Sequence, residues 1–435
     1  MEKLSLGLMV ALVLAVHAYL TEETKMEVDR RTLLGAAALP FAITPLQAAA
    51  AADDWERISR EYDVTREVIQ LEHGNWGMMA RPVLAAYRAL VERVNRDTSY
   101  YARRTMVDDL EAVRASLASA MGVRLEEISL TRNATEAMKA LILQYNRLKP
   151  GHAVLYADLD YDSMQTSMQA LAQRRGVKVI KIGLPEPATR QSVIDAYRDA
   201  FDANPSIKMA LLTHVSHRTG LVLPIAPITS LARERGIDVL VDAAHGVGQL
   251  DFRLPDLLAD FIGINLHKWI GAPLGVGAIY IRRERIDAID PDPAEDPSAT
   301  DIRARVHTGT PDYAAQLTVP AALRFQAAIG GARREARLRA LRDRWVHQVI
   351  GLPQIQILTP EEPGMHGAIT AFRLRGRNSH EDNVALAKAL LDKHRIFTVH
   401  RDGLATGSCI RVTPALASRM SDCDALAAAI HSLVA

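Results

Sequence analysis

The segment Asp260-Phe-Ile-Gly-Ile-Asn-Leu-His-Lys-Trp269 places a lysine directly after a strongly apolar run. The run, residues 261–264, has the composition of a buried strand, and Gly275 and Gly277 follow it closely. A partly buried lysine must be paired or lose its proton, and the neutral amine is the form that attacks a carbonyl. Lys268 is therefore a candidate for Schiff-base chemistry, although an exposed lysine at a strand end gives the same local sequence.

An acidic residue ends the preceding apolar run, in Val239-Leu-Val-Asp-Ala-Ala-His245. Burial of the Asp242 carboxylate is costly without a positive partner. A pyridine-type cofactor needs such a carboxylate to keep its ring nitrogen protonated, which makes the ring an electron sink. Metal ligation by Asp242 and His245 is a rival, but no third ligand has a suitable spacing, so no metal site is predicted here. Capping of a following helix by Asp242 is the remaining alternative.

A third segment has the features of an anion site. Leu130-Thr-Arg-Asn-Ala-Thr-Glu-Ala137 joins a short strand to a helix predicted at residues 138–146. The N–H groups and dipole at a helix N-terminus attract phosphate, and Thr135 adds a hydroxyl donor. An ordinary helix N-cap has the same composition.

Short β-rich runs alternate with helix-like segments through the middle of the chain. The runs lie at residues 153–156, 178–182, 208–213, 238–241, 261–264 and 277–281. The helix-like segments include residues 82–96, 106–121, 162–175 and 225–235. This alternation predicts an α/β fold whose mostly parallel sheet is flanked by helices. Ligands of such sheets bind at the carboxyl ends of the strands.

The pattern changes near residue 318. A long charged helix is predicted at residues 323–350, with strands near 368–374 and 409–412. We therefore divide the chain into a large domain at 86–318 and a small α+β domain at 319–435, which residues 53–85 join.

Several stretches, between Leu71 and the C-terminus, together resemble one family, the class V aminotransferases, and within it the isopenicillin N epimerase-like enzymes. They are Leu71-Glu-His-Gly-Asn-Trp-Gly77, Thr131-Arg-Asn-Ala-Thr-Glu-Ala137, His214-Val-Ser-His-Arg-Thr-Gly220 with Pro224 and Ile225, Asn265-Leu-His-Lys-Trp269, Thr308-Gly-Thr-Pro-Asp312 and Ile410-Arg-Val412. The resemblance implies the fold of type I pyridoxal-phosphate (PLP) enzymes, with a seven-stranded sheet in the large domain.

The resemblance also implies PLP as cofactor and a role for each matching residue. Lys268 would carry the cofactor as a Schiff base, Asp242 would pair with the ring nitrogen and Tyr161 would stack on the ring; these three form the predicted catalytic set. Further cofactor contacts would come from Ala134, Thr135, Ser216, His245 and His267. Thr310 would reach the phosphate of the neighbouring subunit, in a homodimer with a shared active site. The substrate would meet Arg411, Asn75 and Trp76.

Such a site would act at Cα of an amino-acid substrate, with the freed Lys268 amine as general base. Epimerisation is the favoured outcome by resemblance, and transamination and carbon–sulfur bond cleavage are the alternatives. Desulfurases of this family carry a cysteine on a loop before the arginine, but residues 396–403 contain none. A secreted, non-catalytic binding protein on the same scaffold is the alternative of another class, which the presence of Lys268, Asp242 and Thr135 disfavours.

Composition excludes some functions. The 52 Lys and Arg residues nearly balance the 51 Asp and Glu residues, so no overall field attracts nucleic acid. The two cysteines, Cys409 and Cys423, are too few for a disulfide scaffold, and whether they pair is open at this point.

The first 52 residues predict targeting. An apolar run at residues 4–16 is too short to span a membrane. Arg30 and Arg31 then precede an Ala-rich stretch, which resembles a twin-arginine (Tat) export signal read by the Tat machinery. The expected location is periplasmic or secreted, with the cytoplasm as the alternative. Met26 is a second possible start besides Met1.

Overall fold

The computed structural model describes residues 54–435. The predicted targeting segment, residues 1–52, and the choice between Met1 and Met26 lie outside the described residues. Within residues 54–435, every helix is too short or too polar to cross a membrane.

Strands and helices are numbered along the chain. The strands are β1 (Ile69–Gln70), β2 (Ile128–Thr131), β3 (Ala153–Ala157), β4 (Lys178–Ile182), β5 (Ile207–Thr213), β6 (Asp238–Asp242), β7 (Phe261–Asn265), β8 (Gly277–Ile281), β9 (Ile355–Ile357), β10 (Thr370–Leu374), β11 (Ile396–Phe397), β12 (Val399–Leu404) and β13 (Gly407–Val412). The helices are α1 (Arg81–Ala102), α2 (Met106–Met121), α3 (Ala134–Leu143), α4 (Asp162–Arg175), α5 (Arg190–Ala203), α6 (Ile225–Glu234), α7 (Tyr313–Ile329), α8 (Gly331–Val349), α9 (His380–His394) and α10 (Met420–Val434).

The central sheet has seven strands in the order β2-β8-β7-β6-β5-β3-β4. β8 is antiparallel to both of its neighbours, and the other pairs in the sheet are parallel. This arrangement confirms the predicted α/β fold with a mostly parallel sheet.

Both faces of the central sheet are covered. In β3, Ala153, Leu155 and Ala157 enter one hydrophobic cluster, whereas Val154 and Tyr156 enter another. Alternate residues of a strand point to opposite faces, so the two clusters lie on opposite sides of the sheet. Burial on both sides explains why these strands read as continuous apolar runs in the sequence.

A second, antiparallel sheet has the order β12-β13-β10-β9. A third hydrophobic cluster, which includes Trp345, Phe372 and Leu426, packs this sheet against α8 and α10. Near the start of the described chain, β1 pairs in parallel with β11. Residues 69–70 therefore contact the C-terminal part of the chain.

The prediction of a single helix at residues 323–350 is wrong. The structure has two helices there, α7 and α8, and Gly330 separates them with a φ of 89°. Glycine adopts this backbone conformation at no steric cost, and it turns the chain between the two helices. The helix predicted at residues 138–146 instead begins at Ala134, because the Asn133 side chain caps it by accepting the Glu136 N–H.

The two cysteines are free and buried. The structure thus answers the question of pairing that the sequence left open. Burial raises the pKa of both Cys409 and Cys423 to about 12, so neither thiol forms a thiolate readily at neutral pH.

Candidate active site

A cavity of about 590 Å³ lies where three neighbouring parallel strands end. Thr213, Asp242 and Asn265 are the last residues of β5, β6 and β7, and all three line it. This is the edge at which open α/β sheets bind ligands.

Lys268 enters the cavity three residues after β7 ends. Burial lowers the pKa of its amine to about 8, although the charge of Asp242 opposes the shift. The amine is therefore far easier to deprotonate than that of an exposed lysine. Gly77 packs directly on the Lys268 backbone, where a Cβ would lie only 1.8 Å from the carbonyl oxygen.

His245 contacts the lysine amine in a defined tautomer. The Trp269 indole N–H, which can only donate, lies 3.3 Å from His245 Nδ1. The Nδ1 atom therefore accepts, and burial holds the pKa of His245 well below its ordinary value, so the single ring proton sits on Nε2. Nε2 lies 2.8 Å from Lys268 Nζ. A donor in this position pairs with the lone pair of a neutral amine and disfavours the ammonium form.

Asp242 supplies a buried acid to the same cavity. It accepts the Ala244 N–H at 3.0 Å, and burial raises its pKa. A second acid, Asp160, lies close by and was not selected from the sequence. Burial raises the pKa of Asp160 to about 7, and it accepts the Thr213 hydroxyl at 2.7 Å.

The predicted anion site forms one end of the cavity. Asn133, Ala134 and Thr135 line it at the first turn of α3. The Ala134 N–H already donates to the Asn265 side chain at 2.7 Å. This bond fixes the helix end against β7, and Thr135 lines the cavity beside it, where the N-terminus of the helix would favour an anion.

Arg411 forms an ion pair with Glu72, which was not a candidate site residue from the sequence. Its guanidinium pairs with Glu72 through Nε, at 3.3 Å, and through Nη2, while Nη1 donates to the His217 carbonyl at 2.6 Å. Burial lowers the pKa of Arg411 to about 10, and Glu72 opposes the shift. Arg401 lies 3.7 Å from the same carboxylate. Two guanidinium groups thus share one carboxylate, which leaves this wall positive.

Tyr161 and His217 form a wall of the cavity together. Their rings meet edge to face, with centroids 5.1 Å apart. Burial holds the pKa of His217 well below its ordinary value, and the charge of Arg218 adds to this. His217 is therefore neutral, whereas the phenol of Tyr161 is 37% exposed and accessible from the cavity.

The cavity brings together nine of the twelve predicted site residues: Asn75, Ala134, Thr135, Tyr161, Asp242, His245, His267, Lys268 and Arg411. Three lie elsewhere. Ser216 is fully buried, with its hydroxyl near the N–H groups of Arg218 and Thr219. Trp76 and Thr310 are exposed and outside the cavity lining. The roles predicted for Ser216, Trp76 and Thr310 stay predictions.

A sequence model of one family, described as aminotransferase class-V, matches residues 79–426. Among curated proteins, the isopenicillin N epimerase of Streptomyces clavuligerus is 28% identical over 87% of this chain and 98% of its own length. The L-cysteine desulfhydrase of Arabidopsis thaliana is 25% identical over 59% of this chain and 60% of its own length.

Solved structures show the same fold. The apo structure of a cysteine desulfurase from Thermococcus onnurineus superposes with a TM-score of 0.76 at 21% identity, covering 87% of this chain and 98% of that protein. A C-DES mutant with glycine covalently linked to its PLP cofactor gives 0.71 at 20% identity, over 83% of this chain and 95% of that protein.

Proposed function

The chain belongs to the class-V aminotransferase family of PLP-dependent enzymes, and we propose that it breaks the Cα–H bond of an amino acid in an epimerase-like reaction. The observation that carries the proposal is the buried Lys268 amine, which His245 contacts at 2.8 Å in a cavity that Asp242 also lines. The similarity to the Streptomyces epimerase, over 98% of that protein, favours this outcome within the family.

The residues of the cavity fit PLP. One cavity is lined by a buried carboxylate, an amine with a lowered pKa and a helix N-terminus. PLP requires such groups for its cationic ring nitrogen, its aldehyde and its phosphate, respectively. Lys268 would hold the cofactor, Asp242 would face its ring nitrogen and Thr135 its phosphate. When bound, PLP supplies an electron sink for the charge left at Cα.

Lys268 is the proposed base. A base at Cα must be neutral when it takes the proton, and a pKa of about 8 makes the neutral amine accessible near neutral pH. The His245 Nε2–H orients the amine by donating to its lone pair, and it releases the amine when Lys268 takes up a proton. Asp242 stabilises the protonated amine that results.

Tyr161 is the proposed second acid. Epimerisation needs a proton donor other than Lys268, since the proton must return from the other side of Cα. The phenol of Tyr161 is accessible from the cavity, and its ring packs perpendicular to that of His217. Neutral His217 donates less readily, because burial disfavours its charged form.

The same cavity argues against a thiol-dependent desulfurase. Such a reaction needs a cysteine that reaches the substrate, and both cysteines of the chain are buried with a pKa raised to about 12. Elimination without a thiol, as the name of the desulfhydrase relative suggests for that protein, stays the second candidate, and transamination the third.

Exchange of the α proton with deuterium from the solvent tests the proposal across a panel of D- and L-amino acids. We expect exchange with inversion for at least one amino acid, its loss in Lys268→Ala, and its retention in Lys181→Ala, which removes an exposed lysine. A keto acid with transfer of the amino group would instead establish transamination. Loss of a β substituent would establish elimination. No exchange with any amino acid would refute action at Cα.

We also propose a homodimer with a shared site. Several large apolar side chains of the described chain are exposed: Trp76 at 54%, Tyr100 at 74%, Val107 at 67% and Leu274 at 55%. Apolar surface of this kind favours burial against another subunit. Thr310 is exposed and outside the cavity of its own chain, which supports its predicted role at the partner's site.

Export through the Tat route is our proposal for residues 1–52. Arg30 and Arg31 support it, and so does the family match, which begins only at residue 79. Replacing both arginines with lysine keeps the charge but removes the planar groups that a receptor reads. We expect the double variant to stay uncleaved in the cytoplasm. Wild-type protein found intact in the cytoplasm would refute the proposal.

A further inference from the structure

Three metal-ligand side chains converge at the rim of the active-site cavity. His380 is the first residue of α9, and His400 and Asp402 lie on β12. Their donor atoms, one from each residue, all lie within 4.8 Å of one another. None of the three residues was a candidate from the sequence, because 20 residues separate His380 from His400 along the chain.

Both histidines of this cluster lie near the same oxygen of Asp402. His380 Nδ1 lies 3.0 Å from Asp402 Oδ2, and His400 Nε2 lies 3.6 Å from the same oxygen. The two imidazole rings are perpendicular, with centroids 4.8 Å apart. The first contact is an ordinary hydrogen bond, but the second exceeds hydrogen-bonding distance. Two imidazole nitrogens therefore lie near one carboxylate oxygen.

These separations suit a small cation. Zinc bonds to nitrogen and oxygen of about 2.0–2.2 Å place tetrahedral ligand atoms about 3.3–3.5 Å apart. The distances of 3.0 and 3.6 Å lie on either side of that value. Small rotations of His380 and His400, which are 54% and 37% exposed, would equalise them. Neutral imidazole is the form that binds metal, and both rings are reached from solvent.

The strand and a neighbouring hydroxyl orient the ligands. Arg401 lies between His400 and Asp402 in sequence, and its guanidinium is near Glu72, whereas the side chains of His400 and Asp402 lie 3.6 Å apart. The Ser408 hydroxyl donates to Asp402 Oδ1, which leaves Oδ2 toward the imidazoles. Such an outer hydrogen bond to a ligating carboxylate is typical of built metal sites.

We propose that His380, His400 and Asp402 bind one Zn²⁺ or a similar borderline divalent cation. Two imidazoles and a carboxylate favour such ions over Mg²⁺ and Ca²⁺, which prefer oxygen ligands alone. Three protein ligands leave at least one coordination position open. His400 and Asp402 also line the substrate cavity, so that position adjoins the space in which the substrate is bound.

Calorimetric titration of the tag-free, full-length holoenzyme with Zn²⁺ alone tests the proposal. We expect one Zn²⁺ per chain, and an affinity at least about tenfold weaker in His380→Ala and in Asp402→Asn. An equal concentration of Mg²⁺ should not compete. Co²⁺ gives a second readout, since a site with nitrogen ligands produces visible absorption bands that both variants should lose.

His307→Ala is the matched control, because His307 is another exposed histidine and contacts a single carboxylate, Glu295, at 2.6 Å. It should leave Zn²⁺ binding unchanged. Unfolding temperature and cofactor absorbance show whether each variant is folded. Zn²⁺ binding that is equal in wild type, His380→Ala and Asp402→Asn would overturn the proposal, and so would the absence of stoichiometric binding to the wild type.

Discussion

Replacing Asp160 with asparagine should remove a pH-dependent loss of stability that we expect in the wild-type chain between pH 3.8 and about pH 7. Asp160 is 1% exposed, and burial raises its pKa from 3.8 to about 7, with a contribution from the charge of Asp242. Because the folded-state pKa is the higher one, the fold favours the protonated acid. Its contribution to stability is complete below pH 3.8 and is lost as the pH rises toward 7.

The magnitude follows from the size of the shift. About three pKa units at about 1.36 kcal/mol each give a loss of about 4 kcal/mol across the window. An asparagine keeps the local hydrogen bonds, since its carbonyl can accept the Ala157 N–H and its amide can donate to the Thr213 hydroxyl. The difference between wild type and variant should therefore change with pH.

Urea unfolding of the cofactor-free protein at several pH values measures this difference. The free energy of unfolding of Asp160→Asn should rise relative to that of the wild type by about 1.4 kcal/mol for each pH unit within the window. This difference should level off above the window. Asp392→Asn, at a site on α9 that is 52% exposed, is the control for the same substitution at the protein surface. A constant difference for Asp160→Asn would show that the acid is ionised throughout, and would refute the reasoning.

Three further expectations concern the site. Borohydride reduction and peptide mapping should find the pyridoxyl label on Lys268; a label on another lysine would contradict the assignment. Glu72→Ala should lower the free energy of unfolding by about 3–5 kcal/mol in urea titrations, because it leaves buried Arg411 unpaired; an unchanged midpoint would argue that Arg411 finds another partner. Mixing Lys268→Ala with Thr310→Asp should restore part of the activity in hybrid dimers, and hybrids that form without activity would count against a shared site.

The fold was predictable where burial gives a simple pattern. β8 has the predicted bounds, since a strand buried within a sheet is a continuous apolar run. β4, an edge strand of sequence Lys-Val-Ile-Lys-Ile that is only partly buried, also has the predicted bounds. The ends of β5, β6 and β7 located the cavity, because parallel strands bring their carboxyl ends to one edge. The break at Gly330 was missed, because the apolar spacing continues through it and one backbone torsion ends the helix.

The site was less predictable where contacts join distant parts of the chain. Glu72 and Arg411 are 339 residues apart, and no local pattern shows that they meet. Glu72 does lie within residues 71–77, and the resemblance of this stretch to the family was the only indication that Glu72 belongs to the site. The sequence also gave no sign that Asp160 is buried beside Asp242, since an acid that follows a strand is more often exposed.

The Glu72 pair determines which N–H groups of Arg411 remain for a substrate carboxylate, the role that the family resemblance predicts for this residue. A guanidinium has five N–H donors, and the bonds to Glu72 and to the His217 carbonyl use three of them. One N–H remains on each terminal nitrogen, which is enough for a carboxylate that approaches the end of the group. Gly74 keeps the side chain in place, because a Cβ there would lie 2.7 Å from the central carbon of the guanidinium. Arg411 is thus fixed in direction before any substrate arrives, and a bound carboxylate needs no further ordering of this side chain.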